Sequence, residues 1–325
     1  MPLPYVALGD SYAAGVGGGA RLGECWRTTG GYPVLVARAL GQDLAHQACL
    51  GATVADVARD QLSVLGPQTT HVSLTVGGND VGFVPVIVEC AKPSWMVDSD
   101  AVIDDAFALL TTELPRRLTR LVASIRERAP RAELVITAYP VLFNGEDCNA
   151  LTFFSPYEMS RLEQGVADLA AVIEGVAGDA GAVFVDPRAD FDGHAVCDQE
   201  EWVSGVSWPL EESYHPNVEG HAAYARLVLG AFGMSEGEVR TPPAEVTVHH
   251  GPQRRGSAPV FRLPDLLSPQ SLEGARRSGL DPDHIAALAR RAAFPALGAE
   301  AEAASAELHA IDRLVGQRSP QRSQR

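Results

Sequence analysis

Between Tyr5 and Phe232 short apolar runs alternate with longer helical stretches, and this alternation narrows the fold more than any other property of the chain. The runs Tyr5 to Gly9, His71 to Val76, Glu133 to Ala138 and Ala182 to Val185 are rich in Val, Leu and Ile and are bounded by turn residues, as buried strands are. Tyr32 to Leu40, Val54 to Leu65, Ala101 to Ala129, Pro156 to Ala177 and Val218 to Phe232 read as helices. Strands separated by helices pair in parallel, and such a sheet is covered on both faces. Ligands of these sheets bind beyond the carboxyl ends of the strands. Ser11 and Asn79 each fall just after a strand, where that rule puts chemistry.

Four blocks then follow one another along the chain: Gly9-Asp10-Ser11-Tyr12, Gly51, Gly78-Asn79-Asp80 and His215-Pro216-Asn217. A serine hydroxyl is a weak nucleophile near neutral pH, so acyl transfer needs a base for its proton and donors for the developing oxyanion. Ser11 sits at the start of a helix, where a backbone N–H is free, but an ordinary N-cap serine would look the same. Gly51 lets a backbone N–H approach a substrate, although loop glycines do so without function. The Asn79 side-chain amide is a second donor or a turn former. His215 precedes a proline and a helix, which leaves its imidazole at the end of a loop. Glu212, three residues earlier, could orient that ring through its carboxylate or its main-chain carbonyl. His249 and His250 are read as solvated residues rather than a metal pair.

The chain has 325 residues, enough for one large domain or two modest ones. Its formal charge is −15, unevenly spread: residues 1–235 hold 14 basic and 30 acidic groups, and 236–325 hold 12 and 11. An acidic surface repels nucleic acid and anionic headgroups, so neither is an expected partner. No apolar stretch is long enough to span a membrane. Met1-Pro2-Leu3-Pro4 runs straight into a strand without a leader pattern, which fits either a chain not exported by that route or a mature chain with a restored Met. Five cysteines, Cys25, Cys49, Cys90, Cys148 and Cys197, leave disulfides and buried thiols both open.

Composition shifts after Gly233. The expected organisation is a catalytic domain over 1–235, an extended linker over 236–264, a helical extension over 265–316 and a disordered tail over 317–325. Ile285 to Ala293 and Glu300 to Leu314 are the helices of the extension.

Taken jointly, the blocks resemble the SGNH hydrolase superfamily, the GDSL lipases and esterases, over roughly Tyr5 to Phe232. Tyr5-Val6-Ala7-Leu8-Gly9-Asp10-Ser11-Tyr12, Gly-Gly-Asn-Asp-Val-Gly-Phe over 77–83, Gly193 to Cys197 followed by Trp202, and Glu212 to Asn217 look most like the secreted actinobacterial members. The resemblance implies a three-layer α/β/α sandwich with a parallel, flavodoxin-like central sheet, here followed by a helical tail. It implies a serine carboxylic-ester hydrolase in which Ser11 attacks, His215 is general base and acid, and Ser11, Gly51 and Asn79 bind the oxyanion. No metal or organic cofactor is implied. The family often has aspartate three residues before the histidine, and some actinobacterial members use a main-chain carbonyl; Glu212 fits neither cleanly. Cys25 with Cys49 and Cys148 with Cys197 match two of the family's three disulfides, and Cys90 matches half of the third with no partner in Ala91 to Ala101. An extracellular location is expected, with a cytoplasmic one as the alternative. Substrates are small-molecule or lipid esters, with Phe143, Phe153, Phe154, Trp208, Pro209 and Tyr214 as candidates for an acyl pocket. An O-deacetylase of the same fold and a non-catalytic binding module are the competing functions, and a partner for the C-terminal extension is left open.

Overall fold

A computed structural model describes residues 3–234, 244–254, 257–292 and 298–318. The chain clusters into two compact units, each discontinuous in sequence: Met1–Phe83, Ala106–Asn144 and Glu163–Val260 form the first, and Val84–Asp105, Gly145–Leu162 and Phe261–Arg325 the second.

The first unit is built on six strands, β1 (Tyr5–Gly9), β4 (Leu44–His46), β5 (His71–Thr75), β6 (Glu133–Thr137), β7 (Val183–Val185) and β8 (Val248–His250), in the order β7-β6-β5-β1-β4-β8. Every neighbouring pair is parallel, with Tyr5 opposite His71 and Leu44 on either side of β1. Strands β2 (Arg21–Leu22) and β3 (Arg27–Thr28) make a separate antiparallel ribbon. Because both faces of a parallel sheet are covered, central strands read as unbroken apolar runs, and β1 is buried at all five positions.

Helices α1 (Ser11–Ala14), α2 (Tyr32–Leu40), α3 (Val54–Asp56), α6 (Leu114–Arg128) and α8 (Val218–Ala231) flank this sheet. In α6 the residues Leu114, Leu118, Leu121, Val122 and Ile125 fall on one stripe, and all five are buried. Removing each of these side chains from water is worth about 1.5–3 kcal/mol. The opposite face carries Arg116, Arg117 and Arg120.

Besides the short ribbon β2–β3, two strands of the main sheet lie outside the expected set. Leu44–His46 is only three residues long and ends in a histidine, so it offers no apolar run to read. The larger correction concerns the linker expected over 236–264: Val248–His250 within it is the sixth strand of the sheet, paired with β4. Its sequence, Val-His-His, lacks alternation because an edge strand has only one hydrogen-bonded neighbour and solvent on its outer side. Thr241-Pro242-Pro243 and Arg255-Gly256 of that linker lie outside the described residues.

The second unit joins α9 (Pro269–Arg277), α10 (Pro282–Ala292) and α11 (Ala299–Arg318) to segments drawn from the middle of the chain, which hold most of α4 (Phe83–Cys90) and the N-terminal parts of α5 (Asp100–Thr112) and α7 (Pro156–Asp179). Its core gathers Trp95, Met96, Phe153, Ile285, Leu288 and Leu308. Trp95 Nε1 donates to Ser271 Oγ at 3.2 Å, Ser94 N–H to Asp312 Oδ1 at 2.5 Å, and Ser305 Oγ to the Ala150 carbonyl at 2.6 Å. The helices expected over 265–316 are thus present but do not form a core by themselves. Phe153, a candidate for an acyl pocket, is a core residue of this unit. Helix α11 runs through Gln317 and Arg318, where a disordered tail was expected; residues 319–325 lie outside the described residues. No helix among the described residues is long and apolar enough to cross a membrane.

Candidate active site

The carboxyl end of β1 delivers the nucleophile turn. Gly9 has φ 130°, and a Cβ there would lie 2.0 Å from the Thr75 carbonyl oxygen of the neighbouring strand, so no other residue fits. Its backbone is clamped on both sides by the Gln61 amide: Gly9 N–H donates to Oε1 at 2.8 Å and Gln61 Nε2 donates to the Gly9 carbonyl at 2.9 Å. Asp10 caps α1, accepting from Tyr12 N–H at 3.0 Å. That leaves Ser11 as the first residue of the helix, with a backbone N–H that meets no acceptor among the described residues.

The loop before α8 brings the base. His215 Nε2 lies 2.8 Å from Ser11 Oγ, and its Nδ1 lies 3.0 Å from the Ser213 main-chain carbonyl. A carbonyl can only accept, so Nδ1 carries the proton, and Nε2 presents its lone pair to the serine hydroxyl. Burial pushes the His215 imidazole down to about 4, against the pull of the Ser213 carbonyl and with a further push from His221. The ring is therefore neutral near pH 7, as a base must be.

Here the expectation for Glu212 is corrected. Leu210–Glu212 form a single 3-10 turn, after which Ser213 turns extended and aims its own carbonyl at the imidazole. Glu212 is partly buried, and burial, reinforced by Glu211, raises its carboxyl above the usual range. Neither its carboxylate nor its carbonyl is the partner of Nδ1. Two tyrosines shape this loop. Tyr214 adopts φ 59°, and its carbonyl accepts from the Tyr12 hydroxyl at 2.9 Å, so the residue after the nucleophile holds the residue before the base. Asn217 caps α8 by accepting from Gly220 N–H at 3.0 Å.

The two remaining loops supply donors. Gly51 takes φ 73°, and its N–H meets no acceptor among the described residues. Asn79 Nδ2 donates to the Ala52 carbonyl at 3.1 Å, which joins the Asn79 loop to the Gly51 loop; an amide has a second N–H to offer. Asp80 strengthens this junction by accepting from Val54 N–H at 2.8 Å. The structure brings Ser11, Asn79, Gly51 and His215 onto strand ends and loops of one unit.

Sequence reasoning passed over Tyr139. Its hydroxyl reaches both the Asp10 carboxylate and the Gly78 amide. Burial pushes the Asp10 carboxyl up to about 7, even though the Tyr139 and Tyr12 hydrogen bonds pull it down. The available signal was position, since Tyr139 follows β6 as Ser11 follows β1.

Of the five cysteines, Cys25 and Cys49 form a disulfide, Cys148 and Cys197 are also disulfide-bonded, and Cys90 is a buried thiol.

A parallel α/β sheet that presents serine and histidine side chains in hydrogen-bonding contact beyond its strand ends is the arrangement of a serine hydrolase. Residues 7–223 match the model of the GDSL-like Lipase/Acylhydrolase family, and the chain belongs to that family. Lipase 1 of Streptomyces coelicolor is 34% identical over 236 residues, which span 70% of this chain and 86% of the relative. The structure of an extracellular lipase from Streptomyces rimosus superposes with a TM-score of 0.66 at 34% identity, covering 70% of this chain and 98% of the other. Phospholipase A1 from Streptomyces albidoflavus NA297 does so with a TM-score of 0.65 at 35% identity and the same coverage. The protein is a carboxylic-ester hydrolase.

Proposed function

We propose that the protein hydrolyses acyl esters of lipids through an acyl-enzyme on Ser11. In this reading His215 Nε2 takes the Ser11 proton as Oγ attacks the carbonyl carbon, and the negative oxygen is held by the N–H groups of Ser11 and Gly51 and by the Asn79 amide. The imidazolium then gives its proton to the leaving alcohol. Water, activated by the same imidazole, attacks the acyl-enzyme and releases the acid. The Ser213 carbonyl holds the ring in the tautomer that both steps need.

The observation that carries this reading is the 2.8 Å contact between His215 Nε2 and Ser11 Oγ, in a ring whose other nitrogen is already committed. A lipid acyl group is favoured by the apolar character of the chain beside the base: Tyr214, next to His215, packs against Phe143 with ring centroids 5.9 Å apart, and Trp208 is 58% exposed. Disulfide-bonded Cys25, Cys49, Cys148 and Cys197 favour an oxidising, extracellular setting.

The test is hydrolysis of p-nitrophenyl esters from acetyl to palmitoyl by the protein and by Ser11→Ala, together with phosphonate labelling read by mass. Loss of turnover in the variant and labelling confined to Ser11 are expected, with the optimum at longer acyl chains. Turnover in Ser11→Ala equal to that of the parent would sink the assignment, and an optimum at acetyl would replace the lipid reading with a deacetylase.

A further inference from the structure

The turn carrying Gly51 is fastened at almost every polar group. Cys49 is tied to Cys25 by the disulfide. Cys49 N–H donates to the Gly9 carbonyl, Leu50 N–H to the Cys25 carbonyl and Ala52 N–H to the Cys49 carbonyl, each at 3.0 Å. One peptide plane remains, that between Leu50 and Gly51. Its carbonyl accepts from Arg254 Nη1 at 3.0 Å. In a planar trans peptide the carbonyl and the N–H lie on opposite edges, so a donor that fixes the Leu50 carbonyl also fixes where the Gly51 N–H points.

Arg254 is itself delivered by a well-anchored segment. Strand β8 pairs with β4, and the fully buried Arg27 donates to the carbonyls of Gly251 and Pro252 at 2.8 and 3.0 Å and to those of Ala48 and Gln47 at 2.8 and 3.0 Å. One guanidinium thereby joins the strand end before Gly51 to the segment before Arg254. Cys25 N–H donates to Gln253 Oε1 at 3.1 Å. Past Arg254 the chain closes on Gly51 again: a Cβ built there would lie 2.9 Å from Pro259 Cδ, 3.1 Å from Ala258 Cβ and 3.3 Å from Arg254 Nη1.

We infer that Arg254 is a positioning residue of the oxyanion hole, holding the Leu50–Gly51 peptide plane so that the Gly51 N–H is aimed at the developing negative oxygen. The inference rests on the proposed role of Gly51 as an oxyanion donor. Two effects follow from a cation on the far edge of the plane. A charge-assisted hydrogen bond is about twice as strong as a neutral one, so the plane resists rotation. The cation also polarises the amide, which makes its N–H a stronger donor. Residue 254 lies beyond the stretch 7–223 that matches the family model.

The experiment uses the full chain. Rates of p-nitrophenyl butyrate hydrolysis are measured per active site titrated with a phosphonate for Arg254→Gln, Arg254→Met, Arg254→Lys and Asn79→Ala, and per mole of folded protein for Ser11→Ala, which has no nucleophile to titrate. Removing an oxyanion donor outright costs about 100-fold to 1,000-fold in kcat, so loosening one is expected to cost about tenfold, with KM changed less than twofold. Lysine, which keeps the charge but not the planar fork, should restore part of the loss. Parental kcat per titrated site in Arg254→Gln, or in Arg254→Met if the first variant does not fold, overturns the inference. So does a loss carried wholly by KM. In either case a fall in Asn79→Ala and loss of turnover in Ser11→Ala leave the proposed function standing, whereas full turnover in Ser11→Ala removes both.

Discussion

The Tyr139 hydroxyl donates to Asp10 Oδ2 at 2.5 Å and accepts from Gly78 N–H at 3.0 Å, so one phenol fastens the nucleophile turn to the turn that carries Asn79. Replacing it by phenylalanine keeps the packing and removes both bonds. Leaving a buried donor and a buried acceptor short of partners costs about 1–3 kcal/mol each. Tyr139→Phe is therefore expected to lose at least about 1 kcal/mol of unfolding free energy in urea. It should also lower kcat more than it raises KM, since both hydrogen bonds of the hydroxyl go to the turns that carry Ser11 and Asn79. Full stability in the variant would mean that Gly78 and Asp10 find other partners at no cost.

The pH profile should report a depressed histidine. With the His215 imidazole at about 4, the acid limb of kcat/KM is expected well below the 6.5 of a free imidazole. Assays must be short against acid unfolding, because His46 is pushed down to about 3 and His221 to about 4 by the same burial. A base whose pKa is lower folded than unfolded contributes stability above pH 6.5 that is lost as the pH falls toward 4. Asp10 works in the opposite sense. Its folded value of about 7 lies above the ordinary 3.8, so its contribution is present in acid and is lost as the pH rises through 7. Asp10→Asn should accordingly flatten the upper part of the stability profile while leaving the acid loss in place.

Glu212→Gln should retain activity within about twofold, since the imidazole leans on a main-chain carbonyl that the substitution does not touch. A drop of a hundredfold or more would require the carboxylate to enter the reaction after all.

The Cys25–Cys49 disulfide closes a loop of sequence separation 24. On the chain-entropy model that crosslink is worth about 3–4 kcal/mol. Its removal in Cys25→Ser/Cys49→Ser should lower the unfolding free energy by an amount of that order, seen in denaturant titrations of the oxidised parent beside the variant. Because Cys49 opens the Gly51 turn, kcat should fall as well, and an unchanged kcat would show that the hydrogen bonds alone hold the turn.

Much of this site can be read in the sequence because its parts obey local rules. Ser11 and Asn79 follow buried strands, and strand ends of parallel sheets are recognisable from apolar runs alone. His215 is marked by the proline and the helix start after it. Glu212 was misleading for a physical reason: spacing along a chain identifies side chains within reach, but it does not say which carbonyl a 3-10 turn will aim at a ring. Strands β4 and β8 escaped because their three residues include histidines, which break the apolar run that marks the equally short β7. Arg254 and Tyr139 act through backbone groups of distant loops, and such pairings leave no mark on residue type.

The sixth strand also sets an order in time. Strand β4 is made early and waits some 200 residues for Val248–His250 to cover its outer edge. During synthesis the growing chain therefore carries Ser11 long before His215 exists, and it carries both before the sheet is closed. Position in space thus inverts order in sequence: the outer edge of the sheet is completed by a segment made after every residue of the candidate site.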